Sequence, residues 1–71
     1  MHKIALMKKS TTILKRSSVT SYLLDSIKIG DSIGDEYGKT GLVCDIEKVQ
    51  RNREIQYYFN IGKSGTILFL I

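Results

Sequence analysis

The chain has 71 residues, of which 42% are hydrophobic, a composition that predicts one compact domain over residues 1–71 rather than a disordered segment. Its single cysteine excludes an internal disulfide, so we expect a reducing, cytoplasmic location. The net charge is +4, and no apolar run is long enough for a signal-peptide core or a membrane span.

The charges are unevenly distributed along the sequence. Residues 1–24 contain five basic residues and no acid, residues 25–47 have a net charge of −4, and residues 48–71 have a net charge of +3. If the two basic ends meet in the fold, they form one positive face that suits a polyanion such as RNA or DNA. Solubility is an equally good explanation, because small basic domains often carry lysines for that purpose alone.

Two short strands are predicted near the N-terminus. The first covers the apolar segment Lys3 to Met7, which we expect to pair with the last strand of the chain, and the second covers Thr11 to Lys15. The next stretch, Ser17 to Ile27, suits either an irregular loop or a helix. The helix would be at most one short element of one or two turns near residues 18–27. The helical interpretation depends on a serine N-cap and on apolar residues at every fourth position, namely Val19, Leu23 and Ile27.

A β-hairpin is predicted in the middle of the chain. Its second strand runs from Arg53 to Ile61, where apolar and polar residues alternate, so one face of the strand is buried. Its first strand runs from Gly41 to Val49, with one face formed by Leu42, Cys44 and Ile46. The polar residues between the two strands form the turn.

The last predicted strand, Thr66 to Ile71, follows a turn that contains Gly62 and Gly65. Because every residue after Thr66 is apolar, neither face is expected to lie in water. The strand is therefore covered on both sides, closed within a barrel, or buried between two copies of the chain in a homodimer.

The glycines of this region resemble the KOW motif of SH3-like barrels. The resemblance covers residues 29–71 and depends on Gly30-Asp31, Ile33, Gly38-Lys39, Gly41, Val43 and Ile46. It implies an all-β, mainly antiparallel fold, a small SH3-like barrel, with positive φ angles at Gly38 and Gly41. It also implies a binding role toward RNA, ribosomes or the transcription machinery.

A weaker resemblance is to the swapped-hairpin DNA-binding domains of antitoxins and transition-state regulators. It depends on Thr12-Ile13-Leu14 and on the stretch from Leu23 to Asp31, although the proline of that family's pattern is missing. This resemblance implies DNA binding by a dimer.

Catalytic and metal-binding chemistry have little support in the sequence. His2 stands next to the first residue, and Cys44 is predicted to be a small core residue rather than a nucleophile. Asp31, Asp35 and Glu36 match no calcium-loop spacing, so a solvated acidic loop is expected. We therefore predict a protein that is not an enzyme and has no metal or cofactor.

Two functions remain open. In the first, the domain binds RNA or DNA, or the transcription or translation machinery; phosphates contact its basic residues and a base stacks on a tyrosine. The predicted site residues are Lys8, Lys9, Lys15, Arg16, Arg51, Arg53 and Tyr58. In the second, the domain is a protein-binding adaptor or inhibitor of a host protein, encoded by a phage or mobile element. The adaptor acts through a sheet edge or the last strand, where Leu68 and Leu70 are the test positions.

Overall fold

The computed structural model describes residues 10–71, so the predicted strand Lys3 to Met7 and its pairing lie outside the described residues. The fold is all-β with one short helix, as predicted. In chain order the elements are β1 (Thr12–Leu14), α1 (Ser21–Asp25), β2 (Ser32–Asp35), β3 (Thr40–Leu42), β4 (Asp45–Arg51), β5 (Glu54–Asn60), a 3₁₀ turn (Gly62–Ser64) and β6 (Thr66–Leu70).

The strands form two three-stranded sheets, ordered β1-β2-β3 and β4-β5-β6. Within residues 10–71 no strand pairing joins the two sheets into a closed barrel, so the SH3-like barrel stays a prediction. The sheets are mainly antiparallel, except that β1 pairs parallel with β2. A parallel pair needs a long connection. The stretch that contains α1 supplies it.

The predicted hairpin is confirmed as β4 and β5, which are paired from Asp45↔Asn60 to Arg51↔Glu54 around the turn Asn52-Arg53. The predicted first strand is wrong in its extent, because β3 ends at Leu42 and β4 begins at Asp45. This break reverses the alternation of faces. Val43 is buried, whereas Leu42 and Cys44 are exposed, so the prediction of Cys44 as a core residue is wrong.

The helix begins one residue after Thr20, whose hydroxyl accepts a hydrogen bond from the Leu23 N–H at 3.1 Å. The predicted cap was a serine. Leu24 and Ile27 are three positions apart and share the buried face, whereas Leu23, a member of the four-residue apolar periodicity, is 36% exposed. At five residues, α1 is far too short to cross a membrane, and no other described helix is longer.

One core lies between the two sheets and α1, and it accounts for the stability of the fold. Ten buried side chains form it: Leu14, Leu24, Ile27, Ile33, Val43, Tyr57, Phe59, Ile61, Ile67 and Phe69. Phe59 lies at its centre, edge-on to Phe69 with 6.0 Å between ring centroids. Because Ile67 and Phe69 point into this core, the intervening residues of β6 point away from it.

Candidate functional site

β6 is an edge strand, and β5 is its one hydrogen-bonded neighbour among residues 10–71. Just after β6, Ile71 exchanges two backbone hydrogen bonds with Ile55, at 3.1 and 2.9 Å. Hydrogen-bonded pairs alternate along an antiparallel ladder. Thr66, Leu68 and Leu70 therefore direct their backbone N–H and C=O groups away from β5. We call these outward groups the β6 edge; such a row is a template for a further strand.

Two of the three outward carbonyls are already capped by basic side chains of the first sheet and its connections. Arg16 Nε donates to the carbonyl of Leu68 at 3.2 Å, and Lys39 Nζ donates to the carbonyl of Thr66 at 3.2 Å. No side chain of residues 10–71 donates to the carbonyl of Leu70. Within residues 10–71, the β6 edge is thus guarded at its beginning and centre and open at its end.

An apolar pocket of about 280 Å³ adjoins the open end, lined by Arg16, Val19, Leu68, Phe69 and Leu70. Leu68 is 36% exposed and Leu70 is 54% exposed. Of the three predicted alternatives for this strand, cover on both sides is not met within the described residues, and closure in a barrel or burial between two copies stays a prediction. Exposed apolar side chains beside unpaired backbone groups are typical of a surface that binds an extended peptide.

Arg16 is held in place at this edge by two carboxylates. Its Nη1 lies 3.3 Å from Asp35 Oδ2 and 3.0 Å from Glu36 Oε1, and its guanidinium carbon is 5.0 Å from the centre of the Phe69 ring. Charged and cation–π contacts together fix the side chain. Arg16 therefore has its Nε and Nη1 groups occupied before any ligand arrives, whereas its Nη2 group has no hydrogen-bond partner among residues 10–71.

Asp35 is 5% exposed, which corrects the prediction of a solvated acidic loop at this position. Burial alone would raise the pKa of Asp35. Hydrogen bonds from the backbone N–H groups of Lys39 and Tyr37, together with Arg16, outweigh burial and hold the pKa below its usual value. The carboxylate is thus ionised and closes the turn between β2 and β3.

The structure does not gather the predicted basic residues into one cluster. Lys8 and Lys9 lie outside the described residues, and Lys15 is exposed next to the anchored Arg16. Arg51 and Arg53 are exposed at the β4–β5 turn and form no ion pair with residues 10–71. This turn and Leu70 lie at the same end of the second sheet, since Ile55 pairs with Ile71.

Tyr58 lies on the outer face of β5, as predicted, but two acidic residues of β4 lie beside it. Its register partner on β4 is Glu47, and it lines a shallow pocket with Asp45 and Glu47. Its hydroxyl donates to Gln56 Oε1 at 2.9 Å. Arg51 is four positions beyond Glu47, about 13 Å along the strand. The structure therefore does not place Tyr58 beside Arg51 or Arg53, and its stacking role stays a prediction.

Sequence reasoning missed Lys39, which caps the β6 edge, and Val19, which lines the adjoining pocket. The hydrogen bond from Lys39 spans 27 residues, and no local pattern signals such a contact. The exposure of Leu68 and Leu70 was also missed, because every residue of β6 after Thr66 is apolar and no polar alternation marks the outer face. In the part of the chain that the structure describes, no group of three or more histidine, cysteine or acidic residues could hold a metal ion.

Comparisons of the chain with protein-family models, curated proteins and solved structures gave no match. The geometry of the β6 edge is therefore the basis of the functional proposal.

Proposed function

We propose that this protein is a small, cytoplasmic, non-enzymatic binding module that takes up an extended segment of a protein partner as a strand added to the β6 edge. The supporting observation is Leu70. Its backbone groups point away from β5, and its side chain is 54% exposed beside an apolar pocket. In strand addition, backbone hydrogen bonds supply affinity, and pockets for alternate side chains supply specificity. The protein then acts as an adaptor or an inhibitor.

The balance of charge in the described residues favours a protein partner over nucleic acid. Residues 10–71 contain eight basic and seven acidic side chains, and Arg16 and Lys48 are held in ion pairs. A surface that binds phosphates through counterion release needs several basic side chains on one face. Arg51 and Arg53 are exposed on one turn, but two basic side chains are too few for such a surface.

A pull-down from nuclease-treated lysate tests the proposal. We expect wild-type protein to retain a partner that the Leu70→Glu variant loses, because the glutamate replaces the apolar side chain beside the pocket and burying a charged group costs free energy. Leu42→Glu is the matched control, since Leu42 is 59% exposed on the first sheet. A partner retained equally by Leu70→Glu, with both variants folded by circular dichroism, would contradict the proposal.

Nucleic-acid binding is the second candidate, favoured by the exposure of Arg51 and Arg53 at the β4–β5 turn. Fluorescence anisotropy against single-stranded RNA and duplex DNA, from about 50 to 200 mM salt, tests it. This function predicts a steep salt dependence that the double variant Arg51→Glu, Arg53→Glu flattens, with Lys28→Glu as control. Failure to bind at the lowest salt would exclude it.

A further inference from the structure

We propose that the β6 edge selects an extended segment with acidic side chains at alternate positions. This inference rests on the proposed function and names the chemical class of the partner. It depends on the two basic side chains that guard the edge, Lys39 at Thr66 and Arg16 at Leu68.

The spacing of these two guards matches one face of a β-strand. Thr66 and Leu68 are two residues apart, which corresponds to about 6.7 Å along a strand. An added strand has the same repeat, so its side chains at alternate positions have the spacing of Lys39 and Arg16. Carboxylates at two such positions would face the Lys39 ammonium group and the Arg16 Nη2 group, which has no hydrogen-bond partner among residues 10–71. Opposite charges at this spacing fix the register of the added strand as well as its affinity.

An added strand must also gain access to the carbonyl of Thr66, which Lys39 caps. A carboxylate is a stronger acceptor for an ammonium group than a backbone carbonyl is. Lys39 is exposed and its stem is flexible, so it can turn from the carbonyl to the partner's carboxylate. The carbonyl then accepts from the partner's N–H. A basic segment meets repulsion at the same place, and a neutral one must displace Lys39 without offering an acceptor in exchange.

The surroundings of the edge keep this preference. Asp35 and Glu36 both pair with Arg16, so this cluster has no excess positive charge, and the charge preference comes from Lys39. The acidic residues of β4 lie two strands away across the sheet. Exposed Arg51 and Arg53 extend the positive potential at the end of the sheet where Leu70 lies.

Three labelled peptides test the inference. Each has valine at alternate positions, with glutamate, serine or lysine between the valines. We expect anisotropy to show at least about tenfold tighter binding of the glutamate peptide than of the lysine peptide, with the difference shrinking as salt is raised. Lys39→Gln should reduce this preference several-fold. Lys28→Gln, an exposed lysine of the connection before β2, should leave it unchanged.

The outcomes separate this inference from the proposed function. Equal affinity for the three peptides, with amide shifts at Leu68 and Leu70 in each titration, would overturn the acidic preference and leave strand addition standing. Absence of binding by all three peptides at millimolar concentration would contradict both. Displacement of the glutamate peptide from the edge by single-stranded RNA would also overturn the inference, since it marks a site for polyanions in general.

Discussion

Arg16 Nη1 and Asp35 Oδ2 form an ion pair of 3.3 Å that connects the segment after β1 to the end of β2. Through its Nε, the same Arg16 side chain reaches the Leu68 carbonyl of the second sheet. One arginine thus joins both sheets and guards the β6 edge. Stability and the proposed binding site therefore share a residue.

Replacing Arg16 with methionine should destabilise the fold by about 2–3 kcal/mol, because a buried carboxylate loses its cation and its charged hydrogen bond. For a domain of this size that corresponds to a fall in Tm of about 10 °C or more. Urea unfolding measures the change. Lys15→Met is the control, since Lys15 is exposed and forms no ion pair with residues 10–71. A loss below about 0.5 kcal/mol would show that Arg16 does not join the sheets.

Stability should fall in acid because of Asp35. The pKa of Asp35 is lowered in the folded state, since three hydrogen-bond donors outweigh its burial. Because the pKa is lower in the folded state, the ionised carboxylate stabilises the fold at pH values above the unfolded-state pKa of about 3.9. This contribution is lost as the pH falls through the folded-state pKa. In Asp35→Asn the contribution is absent. Its free energy of unfolding should be lower than that of the wild type at pH 7 and should depend less on pH below pH 4. The control Asp45→Asn should follow the wild type. An equally steep acid limb in Asp35→Asn would contradict this assignment.

Tyr57 should stabilise the contact between β5 and α1. Its hydroxyl donates to Asp25 Oδ1 at 2.9 Å, an oxygen that also accepts from Lys48 Nζ at 3.0 Å. Tyr57→Phe should cost about 1 kcal/mol. Tyr58→Phe, which removes a more exposed hydroxyl, should cost less. Chemical denaturation of the two variants compares them, and equal losses would contradict the structural role of the Tyr57 hydroxyl.

The same contact predicts a loss of stability in alkali. Burial, followed by the hydrogen bond to Asp25, raises the pKa of Tyr57 above its ordinary value. Because the pKa is higher in the folded state, the neutral hydroxyl stabilises the fold at pH values below the unfolded-state pKa of about 10. This contribution disappears as the pH rises through the folded-state pKa. Tyrosinate absorbance should show a late titration that Tyr57→Phe removes. An unchanged titration in that variant would contradict the assignment.

Two glycines of the region with the KOW resemblance should respond to alanine for different reasons. At Gly41 an added Cβ would lie 2.8 Å from the Ile61 carbonyl oxygen, and this overlap should cost about 1–3 kcal/mol. At Gly38 the space is open but φ is +86°, so the cost is backbone strain of about 1 kcal/mol. Thermal unfolding of the two variants measures both. A Gly41→Ala variant as stable as wild type would contradict the close approach of β3 to Ile61.

Several parts of the fold could be predicted from the sequence because they depend on local patterns. The alternation of apolar and polar residues around Tyr57 and Phe59 predicted the position of β5. The turn with Gly62 and Gly65, followed by an apolar run, predicted β6. A positive φ was predicted correctly for Gly38 and wrongly for Gly41, whose role is close packing against Ile61. The difference depends on a neighbour 20 residues away in sequence, which no turn pattern contains.

The candidate site was predictable only in part. The sequence named Leu68 and Leu70 as test positions but did not predict their exposure, because every residue after Thr66 is apolar. The edge is shaped by Arg16 and Lys39, which come from distant segments. Arg16 was predicted as a free phosphate ligand. Its carboxylate partners, Asp35 and Glu36, lie in a distant part of the sequence. Neither the charge balance nor the residue spacing therefore reveals that the arginine is anchored.

Residue-resolved amide hydrogen exchange, with and without the glutamate-containing peptide, tests the central claim most directly. The account predicts that the outward N–H groups of Leu68 and Leu70 exchange quickly in the free protein and at least about tenfold more slowly with the peptide bound. The amides of Arg51 to Arg53 should not change. Protection confined to the β4–β5 turn, or unchanged exchange along β6 at saturating peptide, would contradict binding at the β6 edge.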